Sequence, residues 1–401
     1  MDAFTTPLPK TWQKVRLGDI AEIKRGASPR PIENPKWFCA NSNVGWVRIS
    51  DISKNSRFLY KTAQKLSKKG IEKSRFVKQN SLIMSMCATI GKPIITKIDT
   101  CIHDGFVVFE NPKTDLNYLY YFLCYIEKEW LESGQQGSQV NLNVDLIKNK
   151  EVFCPKDLNE QIAIANVLSD VDHYLYSLDA LILKKESVKK ALSFELLSQR
   201  KRLKGFNQAW KKVRLGDICE FGNGGAYETL IVENGDFKLI SLNSIDIDGN
   251  LKNTMKRVNF YDNSLKQDDI VMVLSDVAHG DFLGLCAVIP SNDYVLNQRM
   301  GRLRKKNDCI NILFLRLYIN ANQKYFKMQG QGSSQLNLSK KAIEDFEILL
   351  PPLNEQTAIA NILSDVDNEI ISLKNKKRQF ENIKKALNHD LMSAKIRVLN
   401  K

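Results

Sequence analysis

Two long stretches of the chain place apolar residues at alternating steps of four and three, the spacing of one helix face. Eight of the ten positions on this face are apolar in each stretch, and neither stretch contains Pro or Gly. The pattern predicts two amphipathic helices with a coiled-coil-like seam, over about 157–203 and about 353–399. The seam positions are Ile164, Leu168, Val171, Leu175, Leu178, Ile182, Lys185, Lys189, Leu192 and Leu196, then Ile359, Leu363, Val366, Ile370, Leu373, Lys377, Phe380, Lys384, Leu387 and Leu391.

Each predicted helix is long enough that its apolar seam must be covered. About 43 residues at a rise of 1.5 Å per residue give a helix of about 65 Å. We expect the two helices to cover each other as an antiparallel pair, which would place two globular domains at opposite ends with approximate two-fold symmetry. Two independent helices, each packed on its own domain, are the alternative.

The rest of the chain alternates short apolar runs with polar turns, which predicts α/β domains of unassigned strand order. A short strand is expected to end in each Leu-Gly-Asp triplet (17–19 and 215–217), and one helix is expected near Leu116–Leu131 and near Ile310–Lys327. The other predicted strands are Gly45–Ser50, Ser81–Met86, Gly105–Phe109, Lys238–Leu242, Ile270–Leu274 and Leu285–Ile289.

Two blocks of sequence occur twice. Residues 12–20 (WQKVRLGDI) return at 210–218 (WKKVRLGDI), and residues 158–172 (LNEQIAIANVLSDVD) return at 353–367 (LNEQTAIANILSDVD). Such a long period indicates two copies of a domain with its connecting helix. The predicted domains are therefore 1–156 and 210–352, each followed by a helical spacer, 157–209 and 353–401. Residues 25–130 and 223–325 differ almost completely, so the two copies are expected to recognise different things.

Composition favours a polyanionic partner. Lys and Arg outnumber Asp and Glu by 59 to 45, a net charge of +14. This balance favours nucleic acid through counterion release, although a Lys-rich soluble surface is the alternative. No apolar run approaches the roughly 20 residues of a membrane span, and the eight cysteines contain no CxxC pair. We therefore expect a cytoplasmic protein with no membrane partner.

The sequence contains no recognisable catalytic pattern. P-loop, HExxH, GxSxG and EF-hand motifs are missing from the sequence. Asn34-Pro35-Lys36-Trp37 is the nearest string to the Asn/Asp-Pro-Pro-aromatic motif of a base-modifying methyltransferase, but Lys replaces the second Pro. The carboxylates Asp104, Asp276 and Asp281 show no nuclease spacing. We predict no catalytic residue, no metal site and no cofactor.

Basic residues interleaved with aromatic ones mark candidate DNA contacts in both domains. Lys and Arg neutralise phosphates, and Arg or Gln can contact base edges. A solvated basic surface is the alternative interpretation. The candidates are Arg25, Arg30, Lys36, Arg48, Arg57, Lys61, Lys65, Lys68, Lys69 and Arg75 in the first domain, and Lys252, Lys256, Arg257, Arg299 and Arg302 in the second. Gln139 and Gln335 join them from a repeated polar loop (134–142 and 330–338), which could equally be a structural turn.

These repeated blocks resemble the specificity subunit of type I restriction–modification systems. The resemblance covers essentially the whole chain: the LGDI string, the Gly26–Pro31 string GASPRP, the GSQ-x-NL loop, the Pro-Pro-Leu-Asn-Glu-Gln string and the long Lys-rich helix. The first copy departs at Cys154–Leu158, where the Pro-Pro-Leu of the second copy is interrupted.

The resemblance implies a non-catalytic subunit with two target-recognition domains, each of which reads half of a split double-stranded DNA sequence. The helices would set the gap and dock two methyltransferase subunits, and motor–nuclease subunits would join for restriction. A methyltransferase or nuclease with a divergent site, or a coiled-coil scaffold that does not read DNA, are the rival classes. The candidate docking residues, expected to be exposed, are Asn159, Glu160, Gln161, Asn354, Glu355 and Gln356. Helix capping is the alternative role for these residues.

Overall fold

The chain forms two compact units, each with its own core. The computed structural model describes residues 9–54, 57–133, 142–277 and 281–398. The first unit comprises Met1–Asp179 and Asn375–Lys401, and the second comprises Ala180–Lys374. Each unit therefore contains one α/β domain together with part of both long helices.

The elements follow one another in similar order in the two halves of the chain. The first half contains β1 (Trp12–Arg16), α1 (Leu17–Ile20), β2 (Glu22–Arg25), β3 (Gly45–Val47), α2 (Ile49–Ser53), β4 (Phe58–Leu59), β5 (Gln64–Lys65), α3 (Lys68–Glu72), β6 (Arg75–Val77), β7 (Leu82–Ser85), β8 (Pro93–Thr96), β9 (Thr100–Ile102), β10 (Phe106–Glu110), α4 (Leu116–Tyr125), α5 (Glu127–Ser133), α6 (Val144–Asn149), β11 (Glu151–Pro155) and α7 (Leu158–Leu197). The second half contains β12 (Lys211–Arg214), α8 (Leu215–Ile218), β13 (Cys219–Asn223), β14 (Phe237–Ile240), β15 (Arg257–Val258), β16 (Ile270–Val273), β17 (Ser275–Val277), β18 (Cys286–Val288), β19 (Tyr294–Leu296), β20 (Met300–Lys305), α9 (Ile312–Ala321), α10 (Gln323–Gln329), β21 (Gln335–Asn337), α11 (Lys340–Glu344), β22 (Glu347–Leu350) and α12 (Leu353–Met392). Short 3-10 turns lie at Pro35–Trp37, Glu228–Leu230 and Leu242–Ser244.

The two α/β domains share the order of their common strands despite their unlike sequences, and β4 and β6 are additional strands of the first domain. The larger sheet runs β2-β10-β7-β8-β4 in the first unit and β13-β20-β16-β18 in the second. A smaller mixed sheet runs β5-β3-β9-β6 or β15-β14-β19, and its β3–β9 and β14–β19 pairs are both parallel. The first strand of each domain pairs with the last, β1 with β11 and β12 with β22. The prediction of two α/β domains is confirmed.

Two local predictions were wrong. The repeated LGDI string is a helical turn, α1 or α8, because the carboxylate of Asp19 or Asp217 accepts the backbone N–H three residues earlier and caps the turn. The single helix expected after each set of strands is two helices, since the backbone leaves the helical conformation at Ile126 and at Asn322. The apolar spacing continues across this break because both helices contribute to one core, Leu123 with Trp130 in the first unit and Ile319 with Phe326 in the second.

The long helices α7 and α12 pair antiparallel, as predicted. In the first unit Asp172 pairs with Lys384 and Asp179 with Lys377. In the second, Lys185 pairs with Glu369 and Lys189 with Asp367. All ten predicted seam positions of each helix are buried or half-buried. The lysines within the seam are accommodated because each meets a carboxylate of the facing helix, which offsets the cost of removing its charge from water.

Candidate nucleic-acid interface

A loop and a turn form the same backbone framework in both units. In the first, the loop 26–31 follows β2 and lies against the turn 103–105 between β9 and β10. In the second, the loop 224–229 follows β13 and lies against the turn 297–299 between β19 and β20. We call these the first and second loop–turn frameworks.

Equivalent backbone hydrogen bonds hold the two frameworks. In the first, Gly26 N donates to Phe106 O at 2.8 Å and Ala27 N donates to Ile102 O at 3.1 Å. In the second, Gly224 N donates to Met300 O at 3.3 Å, and the next residue, Gly225, donates to Leu296 O at 3.1 Å. A Cβ at Gly26 or Gly224 would lie 2.0 or 2.1 Å from the backbone oxygen at the start of the turn, so only glycine fits at either position.

Polar side chains surround Asp104 in the first framework. Its carboxylate accepts hydrogen bonds from Ser28 Oγ at 2.7 Å and from Arg30 at 2.9 Å, and its backbone oxygen accepts one from Arg25 Nε at 2.8 Å. The Ser28 hydrogen bond, with help from the charge of Arg30, lowers the pKa of Asp104 below its usual range. The neighbouring His103 is packed against aromatic rings, and burial lowers its pKa to about 4. The exposed face of this framework is therefore an arginine beside an ionised carboxylate, next to a neutral imidazole.

The second framework carries a glutamate on the loop and amides on the turn. Glu228 accepts hydrogen bonds from Asn297 Nδ2 and from Gln298 Nε2, both at 2.9 Å. The Gln298 hydrogen bond is the largest contribution to the lowered pKa of Glu228, and the charge of Arg299 contributes to it. Arg299 is exposed at the end of this turn, with a left-handed backbone (φ 68°). The predicted contact residues Arg25, Arg30 and Arg299 thus all lie at these frameworks.

Most other candidate DNA contacts lie at the surface. Arg48 and Arg75 are half-buried, and Arg75 Nε donates to the backbone oxygen of Arg25 at 3.2 Å. Gln335 is half-buried in β21, which pairs with β17, whereas Gln139 lies outside the described residues. The exposed candidates are Lys36, Lys61, Lys65, Lys68, Lys69, Lys252 and Lys256.

Arg57 cannot serve as a surface contact, contrary to the prediction. Only 6% of the residue is exposed, and its guanidinium donates to Tyr121 Oη, Ser169 Oγ and Asn117 Oδ1 at 2.6–2.7 Å. Tyr121 in turn donates to Asp172 on α7. Arg57 therefore links the α/β domain to the long helix α7, and its guanidinium donates its hydrogen bonds to groups inside the protein.

Arg257 and Arg302 are also engaged within the protein. Arg257 donates to the backbone oxygen of Gly235 at 2.8 Å, and Arg302 forms an ion pair with Glu220 at 2.8 Å. The side chain of Arg302 is 14% exposed, because its guanidinium lies over Gly222 in the strand that carries Glu220. Neither guanidinium is free in the way that the prediction supposed.

The expectation that the helix-start residues are exposed was wrong for four of the six. Glu160, Gln161, Glu355 and Gln356 are buried, whereas Asn159 and Asn354 are exposed. These four side chains form hydrogen bonds with equivalent partners in the two units.

The two glutamines join the helix starts to the preceding helices. Gln161 accepts from the backbone N–H of Asp115, just before α4, and donates to Pro155 O. Likewise, Gln356 accepts from the backbone N–H of Asn311, just before α9, and donates to Pro351 O. These amides fix the angle between each long helix and its α/β domain.

The two glutamates each anchor a buried cluster that sequence reasoning missed. Glu355 accepts from Trp210 Nε1 at 3.0 Å and from Arg202 through both oxygens, at 2.6 and 3.1 Å. In the first unit Glu160 accepts from Trp12 Nε1 at 3.2 Å and from Arg397 at 3.4 Å. The only signal available was the repeat itself, which duplicates the Trp, the Glu and the Arg together. We call these groups the Trp–Glu–Arg clusters.

The described part of the chain contains neither a metal-binding cluster nor a membrane-spanning helix. No group of three or more His, Cys, Asp or Glu residues there is arranged to hold a metal ion. No helix there is both long and apolar enough to cross a membrane.

Comparison with known proteins places this architecture in a family. The model of the type I restriction modification DNA specificity domain matches the chain twice, over residues 9–185 and 207–382. The chain therefore belongs to the family of type I restriction–modification DNA specificity proteins. It is a DNA specificity subunit, the non-catalytic component of such a system, as the resemblance had implied.

Individual relatives share its full length. The chain is 26% identical to the type I restriction enzyme MjaVIII specificity subunit of Methanocaldococcus jannaschii, over 98% of this chain and 95% of that one. A crystal structure of the type I restriction–modification S subunit from M. genitalium superposes with a TM-score of 0.62 at 17% identity, over 96% and 98% of the two chains. The HsdS subunit from Thermoanaerobacter tengcongensis gives a TM-score of 0.51 at 16% identity, over 99% and 100%. These structures share the fold.

Proposed function

We propose that each α/β domain reads one half of a split double-stranded DNA sequence and that α7 and α12 set the gap between the halves. The observation that supports this most directly is the pair of loop–turn frameworks. Their backbones are held alike, while their exposed side chains differ in type and charge. A common backbone with different polar side chains suits two readers of different base sequences.

Phosphate contacts are proposed to come from the exposed basic residues. Each lysine that neutralises a phosphate releases counterions, so affinity should fall steeply with salt. The proposed phosphate-contacting residues are Lys36, Lys61, Lys65, Lys68, Lys69, Lys252 and Lys256, with Arg48, Arg75, Gln335 and Gln139 as further candidates.

We also propose that two methyltransferase subunits dock at equivalent surfaces near the two helix starts. Leu158 and Leu353 are 50% and 46% exposed, each beside an exposed asparagine, Asn159 or Asn354. Apolar side chains exposed at repeated positions suit two identical partners. Motor–nuclease subunits would join this complex for restriction, in the cytoplasm. The domain limits of the proposal are 1–156 and 210–352, with 157–209 and 353–401 as spacers.

A methylome tests the proposal. The chain is expressed with its neighbouring methyltransferase gene in a host without type I systems, and modified bases are mapped by sequencing. We expect adenine methylation at one new split motif, which disappears when this chain is omitted. Methylation or cleavage by the purified chain alone would instead support an enzyme. An assembled complex with neither methylation nor DNA affinity would support a scaffold.

The helices are tested as the ruler by lengthening. One extra turn, about four residues, is inserted after Asp172, with a matching turn in α12 to preserve the pairing. We expect the gap between the half-sites to change while both half-sites stay the same. An unchanged gap in a folded, active complex would show that the helices do not measure it.

A further inference from the structure

The two frameworks place a hydrogen-bonded pair of side chains at equivalent positions, with donor and acceptor exchanged. Residues 30 and 228 are equivalent because both lie four residues after the framework glycine, and 104 and 298 are the middle residues of equivalent turns. In the first unit the loop donates to the turn, from Arg30 to Asp104, at 2.9 Å. In the second the turn donates to the loop, from Gln298 to Glu228, also at 2.9 Å.

We propose that these pairs, Arg30 with Asp104 and Glu228 with Gln298, determine specificity by contacting base edges at equivalent positions of the two half-sites. The inference rests on the proposed function of the two domains as DNA readers. Within that function, it assigns to each domain the side chains that distinguish one base pair from another.

The chemistry of the pairs suits bases better than phosphates. A carboxylate repels a phosphate but accepts a hydrogen bond from the N4 amino group of cytosine. Arg donates hydrogen bonds to O6 and N7 of guanine, and the amide of Gln pairs with N6 and N7 of adenine. Both pairs face solvent: the side chains of Arg30 and Asp104 are 73% and 41% exposed, and Glu228 and Gln298 are exposed. The exposed carboxylates of Asp104 and Glu228 therefore offer hydrogen-bond acceptors to a base edge.

Other contacts hold the pairs rigidly, which direct readout requires. Ser28 donates to the second oxygen of Asp104, and Arg25 donates to its backbone. In the second unit the backbone N–H of Gln298 donates to Gly225 O at 2.6 Å, and Asn297 donates to the second oxygen of Glu228.

The turn in the second unit also stores backbone strain. Arg299 has a φ of 68°, in the left-handed region that residues other than glycine seldom adopt. Strain of this kind concentrates at functional positions, where it fixes the direction of a side chain. Here it accompanies an exposed arginine next to the proposed pair.

Exchange of the pairs tests the proposal. The full chain, in complex with its methyltransferase subunit, selects binding sites from a randomised DNA pool. The first variant carries Arg30→Glu with Asp104→Gln, which gives the first framework the pair of the second. We expect the preference for one base over the others to change by about tenfold or more at one position of the first half-site. The second half-site should stay unchanged. The reciprocal variant, Glu228→Arg with Gln298→Asp, should change one position of the second half-site alone.

A matched control reverses a surface ion pair that belongs to neither framework. Lys14→Glu with Glu151→Lys exchanges an exposed pair on the β1–β11 sheet and should leave both half-sites unchanged. The unaltered half-site within each variant shows that the chain is folded and bound.

The outcomes distinguish failure of the proposed DNA-reading function from failure of the proposed role of the side-chain pairs. A wild-type complex that selects no sequence would overturn the proposed function itself. A wild-type complex with a clear motif, and variants that keep that motif while binding every sequence more weakly, would show that the pairs only hold the loops in place. Should either double variant fail to fold, Asp104→Asn and Gln298→Glu make the same test, because each changes the donors and acceptors with almost no change of shape.

Discussion

The two units use one backbone plan to present opposite chemistry. Their sheets share a strand order, apart from one further strand in each sheet of the first unit, and equivalent backbone hydrogen bonds hold their loop–turn frameworks. At equivalent exposed positions, however, one unit has Arg30 with Asp104 and the other has Glu228 with Gln298. Backbone hydrogen bonds therefore keep the geometry of the loop–turn framework the same in the two units, while its exposed side chains differ.

A similar contrast occurs in the helix pair. Tyr174 and Phe380 contact each other in the first unit, with ring centroids 4.5 Å apart. The positions 195 residues away, Glu369 and Lys185, form an ion pair in the second unit. One layer of the seam is thus aromatic in one unit and charged in the other, whereas the Lys384–Asp172 and Lys189–Asp367 pairs are the same in both.

The largest effect is expected from the Trp–Glu–Arg clusters, which also differ in how completely they are buried. The Glu355 side chain is fully buried and bonded twice by Arg202, whereas Glu160 is held by longer bonds. Glu355→Ala should lower the free energy of unfolding by about 3–5 kcal/mol, because it leaves the partly buried guanidinium of Arg202 without its carboxylate partner. Glu160→Ala should cost about 1–3 kcal/mol. Urea unfolding of both variants measures the difference.

An exposed glutamate provides the control for this pair of variants. Glu347 pairs with Lys212 on the surface, so Glu347→Ala should cost less than about 0.5 kcal/mol. If Glu160→Ala destabilised the chain as much as Glu355→Ala, burial would not be what distinguishes the two clusters.

The next effect is the dependence of stability on pH, between about pH 6.5 and 4, that His103 gives to the first framework. Burial lowers the pKa of His103 from 6.5 to about 4, so the unfolded chain binds a proton more readily than the folded one in this interval. The stabilisation is complete above about pH 6.5 and is lost as the pH falls to about 4, by up to about 3 kcal/mol. The second framework has Asn297 at this position.

Replacement of His103 by Asn, the equivalent residue of the second framework, isolates the contribution of His103 to the pH dependence of stability. In His103→Asn, the free energy of unfolding should vary less between pH 6.5 and 4 than in the wild type. Urea unfolding at several pH values measures it, with His389→Asn, on α12, as the matched control. Equal pH dependence of wild type and His103→Asn would contradict the burial of a neutral imidazole.

The smallest effect concerns the differing layer of the helix pair. Phe380→Ala should lower the free energy of unfolding by about 2 kcal/mol, since it removes a half-buried ring and its contact with Tyr174. Lys185→Ala, at the equivalent position, should cost about 0.5 kcal/mol, because its ion pair is partly solvated. Thermal unfolding ranks the two variants. The reverse order would show that the charged layer is the stronger one.

The helices and the duplicated domains could be predicted because periodicity and repetition are visible in one chain. The seam positions from Ile164 to Leu196 are all at least half-buried, as their spacing indicates. The break at Ile126 and Asn322 was missed, because a change in backbone direction leaves the apolar spacing intact.

The site was less predictable, because its contacts join residues distant in sequence. Arg57 and Glu355 have charged side chains that normally face solvent, and their burial depends on partners 60 or more residues away. The equivalence of Arg30 and Glu228 follows from the offset of 198, but the turns that complete the pairs follow an offset of 194. No ungapped alignment of the two copies therefore brings both halves of a pair into register.

The central claim, that two unlike readers share one plan, is tested most directly by exchange of one reader. Residues 25–130 are replaced by the corresponding insert of another specificity subunit, and the methylome is compared with that of the wild-type complex. The account predicts that one half-site changes while the other half-site and the gap stay the same. A change in both half-sites would contradict it.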